Sequence, residues 1–130
     1  MASIRKIIDV EAPIEKVWAA LADFQNVHTR VAPGFVTDSR PEGDIRIVTF
    51  ANGSVARERL VTMDEALHRV VYAIVEGRPT HHSASVDLVA EGPKRTRFVW
   101  TTDVLPDALA PYIDGQMSEA VKLMKPALER

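Results

Sequence analysis

Residues 106–130 read PDALAPYIDGQMSEAVKLMKPALER. Leu109, Ile113, Met117, Val121, Met124 and Leu128 recur every three or four residues, so on a helix they form one apolar stripe. Asp107 and Asp114 sit toward the start, and Lys122, Lys125 and Arg130 toward the end, an order that complements the helix dipole. The spacing predicts one long amphipathic helix from Pro106 to Arg130. Pro111 and Gly115 each weaken a helix interior, and Pro111 marks a candidate true start, with Leu105 to Ala110 as a looser lead-in. Nearly everything before Pro106 reads as strand, so the partner for the stripe is a sheet.

Working outward, residues 3–10 (SIRKIIDV) are rich in β-formers and give a first strand. Pro13 opens a helix, where its missing N–H costs nothing, and Ile14, Val17, Trp18 and Leu21 make the buried face. A second helical turn over residues 26–31 ends at Pro33-Gly34. From Phe35 the punctuation is that of an antiparallel sheet: FVTDSR, IRIVTFA, SVARERLVTM, RVVYAIVEG, HHSASVDLVA and TRFVWTTDV, separated by turn residues. Asn52-Gly53 predicts a two-residue hairpin, because both positions tolerate positive φ. The order is β-α-α-β6-α, with one strand before the helices and six after.

A chain of 130 residues without a linker, repeat or low-complexity segment is read as one domain, residues 1–130. At 46% hydrophobic and 26% charged residues it is ordinary globular material. A net charge of -2 with no basic cluster argues against a nucleic-acid footprint. There is no cysteine, hence no disulfide framework, thiol nucleophile or thiolate metal site. No apolar run is long enough for a signal peptide or a bilayer span, so a cytoplasmic protein without membrane insertion is expected. No cofactor and no metal site are read, and nothing in the sequence bears on oligomeric state.

Four stretches in this order, APIEKVWAALADF (12–24), NGSVARERL (52–60), RVVYAIVEG (69–77) and FVW (98–100), carry a family resemblance. The chain resembles the START-related (SRPBCC) superfamily, which includes the plant pathogenesis-related allergens, the abscisic acid receptors, and bacterial polyketide cyclase/dehydrase and lipid-transport proteins. The resemblance implies an α+β helix-grip fold: a seven-stranded antiparallel sheet wrapped around the long C-terminal helix, with a ligand cavity between them. The gate position of the receptor branch reads only Asn52-Gly53-Ser54-Val55-Ala56, and its latch position Gly77-Arg78-Pro79-Thr80, which argues against a hormone receptor. The resemblance implies a carrier or sensor for a small apolar ligand (lipid, polyketide or aromatic). Two alternatives stand beside it: a polyketide aromatase/cyclase using Glu58 as acid/base, and an interaction module without ligand. Whether the chain is an enzyme is open.

Glu58 is the most informative polar residue. Alternation puts Ala56, Glu58, Leu60 and Thr62 on one face and Arg57, Arg59 and Val61 on the other. Two arginines do not share a core, so Glu58 faces inward, where a carboxylate needs a partner. It would anchor a ligand hydroxyl or amine, or serve as the catalytic acid/base; the bland alternative is a pair with Arg46, Arg57 or water. Tyr72 and Trp100 each combine an apolar body with one polar handle and are candidate cavity walls. Ile113 and Met117 face the sheet from the helix, and a thioether suits an adaptable pocket.

For residues 81–90 two readings conflict. Hydrophobicity turns Ala84, Val86 and Leu88 inward, whereas the resemblance turns Ser83 and Ser85 inward, and a slip of one residue reverses the answer. The expectation adopted is that the serines line the cavity. Adjacent His81 and His82 point to opposite faces and cannot chelate one ion, and His82 alone stays as a general acid/base candidate at the cavity mouth. His28 and His68 are expected in solvent. No nucleophile-elbow sequence joins the Ser, His and Asp residues into a hydrolase.

Overall fold

The pattern of residues 2–10 and 36–105 folds as seven antiparallel strands in a computed structural model, which describes residues 2–130. They are β1 (Ala2–Val10), β2 (Val36–Glu42), β3 (Ile45–Phe50), β4 (Val55–Asp64), β5 (Arg69–Ile74), β6 (His81–Ala90) and β7 (Thr96–Leu105). Between β1 and β2 lie α1 (Ile14–Ala22), a 3-10 turn (Phe24–Asn26) and α2 (Val27–Arg30); α3 (Ala110–Glu129) closes the chain. The sheet runs β1-β7-β6-β5-β4-β3-β2, so the first strand pairs with the last and the rest form a meander. This is the expected helix-grip arrangement.

Alternation fills one face of the sheet. Val10, Val48, Val70, Phe98 and Val104 are almost completely buried beneath the helices. Val17, Trp18 and Leu21 of α1 join that core as the periodicity requires. Pro13 lies one residue before α1, with its carbonyl accepting the Lys16 and Val17 N–H groups. Trp18 meets the edge of the His68 ring at 5.4 Å, so His68 is packed and not simply solvated. His28 is likewise half-buried, against the expectation of a solvated side chain.

The last helix is shorter than the spacing predicts. Pro106 follows a cis bond, residues 107–109 form a 3-10 turn, and α3 begins at Ala110 with Pro111 in its first turn. Proline is tolerated there because first-turn N–H groups have no intrahelical acceptor. Leu109, Met117, Met124 and Leu128 are buried as expected, Val121 only partly, and Ala120 is a stripe member that its small size hid. The helix end is tied back to the start of the chain, since the Glu129 carboxylate accepts the Glu11 N–H and Lys125 donates to the Asp9 carbonyl.

Two local departures shape the interior. The Asn52-Gly53 turn is not a two-residue hairpin: Gly53 alone has positive φ (+87°), and its N–H bonds the Phe50 carbonyl. This is a longer loop with the glycine in the left-handed position. In β4 the register slips between Leu60 and Thr62, so a bulge sends Met63 into the core and turns Thr62 to the outer face, against strict alternation.

Candidate functional site

The β3–β4 loop decides what faces what inside. A two-residue turn on Asn52-Gly53 would oppose Arg46 to Arg59. The observed loop adds a residue and opposes Arg46 to Glu58 as direct cross-strand partners on the inner face. Glu58 is 7% exposed and Arg46 6%, and Arg46 Nε donates to Glu58 Oε1 at 2.8 Å. Arg46 Nη1 donates to the Phe24 carbonyl at 3.0 Å. Its guanidinium lies 3.9 Å from the Phe24 ring centroid and 4.8 Å from that of Tyr72, so the cation is held between two aromatic faces. Burial of both charges is sustained because each has a partner.

Above this pair, between the sheet and the first half of α3, lies a cavity of about 320 Å³. It sits at the lower end of the ~300–1,000 Å³ typical of small-molecule sites. Glu58, Tyr72 and Trp100 form part of its sheet wall, and Ile113 and Met117 its helix wall. A second, smaller cavity of about 70 Å³ shares Glu58, Tyr72 and Trp100 and is bounded by Arg46, Ala120 and Met124. Five of the seven ligand-site residues expected from the sequence therefore converge on one space. Ser83 and Ser85 do not: their neighbours His82, Ala84 and Val86 are buried, and the serines point to the outer face. Burial of the apolar set outweighed the family register, as alternation alone would have it.

The polar lining has a definite electrostatic character. Burial holds the Tyr72 hydroxyl well above the ordinary phenol range, and the nearby charge of Glu58 pushes the same way. Its oxygen accepts the Trp100 indole N–H at 3.2 Å. Burial pushes His82 below the ordinary imidazole range, against the pull of Glu58. Its Nδ1 accepts the Ile74 N–H at 3.2 Å, and the ring also lies within reach of its own backbone carbonyl. At the mouth, Asn52 donates to the Tyr112 hydroxyl at 3.1 Å, and the Arg78 guanidinium lies 5.6 Å from the Tyr112 ring centroid. The loops after β3 and β5 thus both meet α3.

Sequence reasoning named Arg46 only as one of several alternative partners for Glu58, the one the structure shows, and missed Thr102 as an inward polar residue. Arg46 alternates with Val48 and Phe50, a signal masked by Ile45 and Ile47, which invite the opposite assignment of faces. Thr102, in register with Ala84, is 2% exposed on the same face as Trp100. Among the described residues no group of three or more His, Cys, Asp or Glu side chains could hold a metal ion, and no helix is long and apolar enough to cross a membrane.

A family model described as "Polyketide cyclase / dehydrase and lipid transport" matches residues 1–130. The abscisic acid receptor PYL6 of Arabidopsis thaliana is 33% identical over 110 residues, 70% of this chain and 49% of the receptor. The chain spans about half the length of the curated relatives it matches. A solution NMR structure from Thermobifida fusca superposes with a TM-score of 0.81 at 25% identity, covering 99% of this chain and 91% of the other. Norcoclaurine synthase from Thalictrum flavum, solved in complex with dopamine and hydroxybenzaldehyde, superposes with a TM-score of 0.76 at 16% identity, covering 98% and 84%; that likeness is one of fold.

Proposed function

The chain belongs to the polyketide cyclase / dehydrase and lipid transport family, and on that premise we propose that it binds one small, largely apolar molecule between the sheet and the first half of α3, as a carrier or sensor. The observation that carries this reading is the cavity of about 320 Å³, lined by aromatic and aliphatic side chains with a few inward polar groups. Ile113 and Met117 supply an adaptable apolar roof, and Tyr72 and Trp100 the flat walls. Glu58 is a wall residue whose charge is balanced by Arg46 before any ligand arrives.

That pairing also weighs between catalyst and binder. A general acid/base must be free to exchange a proton with the substrate. Glu58 is instead engaged by a guanidinium that is itself fixed by Phe24 and Tyr72. Binding is therefore the preferred function, and cyclisation driven by Glu58 the lesser one. The cytoplasmic location expected from the sequence belongs to the same proposal, and cell fractionation tests it.

The chain has two tryptophans, and only Trp100 lines the cavity, so Trp18→Phe leaves a single reporter on the site. Titration of that variant with sterols, fatty acids, aromatic ketones and polyketides should give saturable changes in emission for at least one class. Native mass spectrometry before and after organic extraction should show a matching bound mass. A protein that stays silent to the whole panel, in emission and in thermal stability, would speak for an interaction module.

A further inference from the structure

Two hydroxyl donors on the sheet wall of the larger cavity, those of Tyr72 and Thr102, have no acceptor among the described residues, and the His82 ring stands beside them. The Tyr72 hydroxyl accepts from Trp100 and still holds a hydrogen to give. The His82 ring, whose Nδ1 meets the Ile74 N–H, turns its Nε2 edge to the same cavity. Thr102 makes no hydrogen bond through its hydroxyl, although the residue is almost fully buried. All three line the same cavity.

The sheet register brings them together. Tyr72, Ala84 and Thr102 stand side by side on β5, β6 and β7, and His82 lies two residues before Ala84 on the same face. The methyl of Ala84 at the centre leaves the surrounding donor groups uncovered. The indole bond from Trp100 draws the Tyr72 hydroxyl toward β7, the strand that carries Thr102. The Tyr72 and His82 ring centroids are 6.4 Å apart. Buried donors are normally matched by an acceptor, so a wall with two unmatched hydroxyls is shaped for a partner that brings one.

We infer that this cluster recognises an uncharged carbonyl oxygen, so that the ligand class is a neutral, carbonyl-bearing apolar molecule. The inference rests on the ligand-binding reading above. Charge separates it from the alternatives. Arg46, the buried cation of the site, is committed to Glu58 and the Phe24 carbonyl, and Arg78 is exposed at the mouth. A carboxylate would enter an apolar cavity with no free counter-charge. An ammonium would find the buried anion of this wall, Glu58, already engaged by Arg46. Burial keeps both Tyr72 and His82 uncharged near neutral pH, which suits a neutral acceptor.

The test compares three ligands of one shape: 2-acetylnaphthalene, 2-ethylnaphthalene and 2-naphthoic acid, titrated calorimetrically into the full chain. The ketone should bind roughly 5- to 10-fold more tightly than the hydrocarbon, the gain of about one net hydrogen bond. Its carbonyl stretch should move to lower wavenumber in the complex. Thr102→Val, close in shape to the native residue, and Tyr72→Phe should each narrow the gap between ketone and hydrocarbon and move the band part of the way back. Hydrocarbon binding equal to that of the ketone, tightest binding by the acid, or an unshifted carbonyl band would each overturn the inference while leaving the cavity reading intact. Failure of all three ligands, with no emission change from any class in the Trp18→Phe titration, would overturn both.

Discussion

Removing Glu58 tests the buried pair at the heart of the site. Glu58 and Arg46 are 7% and 6% exposed, and their charges meet at 2.8 Å. Glu58→Ala leaves the guanidinium buried with one backbone carbonyl and two aromatic faces, and no anion. Removing one partner of such a pair costs about 3–5 kcal/mol, and a domain of this size should lose roughly 10 °C or more in Tm. Glu58→Gln keeps an acceptor for Arg46 Nε and loses only the charge assistance, a cost of about 1–2 kcal/mol. The double variant Arg46→Met/Glu58→Leu removes both charges while keeping the volume filled, and should recover to within about 1–2 kcal/mol of the parent. Equilibrium urea unfolding at neutral pH measures all of these, provided the slope of the transition is unchanged. A loss under about 1 kcal/mol for Glu58→Ala, or a double variant worse than either single, would refute the picture of a desolvated, mutually dependent pair.

Three further outcomes follow from single residues. His82 has a lowered folded-state pKa, so the unfolded chain takes up its proton first. Its contribution to stability is present above the unfolded value of about 6.5 and is lost as pH falls from there toward the lower folded value. In His82→Asn, whose side-chain oxygen can still accept the Ile74 N–H, the decline should be shallower, and parallel stability–pH curves would count against the assignment. Gly53→Ala should cost about 1–2 kcal/mol through its backbone conformation alone, since φ is +87° and no heavy atom lies within 4 Å of the added carbon; a neutral result by thermal unfolding would mean the loop relaxes. Thr96→Val should cost about 1–3 kcal/mol, because the fully buried Thr96 hydroxyl donates to the Ala12 carbonyl at 2.8 Å and the variant leaves that carbonyl unpaired.

Hydrophobic period is a local property, and it sufficed for the architecture. The period of two in residues 81–90 and 96–104, and the three-to-four spacing of Met117, Met124 and Leu128, each describe the face an element must bury. Turn residues supplied the element count, and element order with four matching stretches supplied the family resemblance. The same logic brought Glu58, Tyr72, Trp100, Ile113 and Met117 to one interior. It would also have been right for residues 81–90, where the expectation for Ser83 and Ser85 failed because the family register was preferred to the simpler rule that apolar side chains go inward.

Three features were decided only by tertiary structure. The extra residue in the Asn52-Gly53 loop sets the register that opposes Arg46 to Glu58, and a turn's conformation depends on how the flanking strands twist and pair. The bulge between Leu60 and Thr62 exchanges the faces of Thr62 and Met63, and alternation carries no mark of such a slip. The meeting of Tyr72, His82 and Thr102 around Ala84 depends on the lateral pairing of β5, β6 and β7, which brings residues far apart in the chain to adjacent strands. The sequence by itself determined which side chains seek the interior, because burial follows from each element's own periodicity. Which of them touch is a matter of register between elements, and that was settled only when the sheet closed over α3.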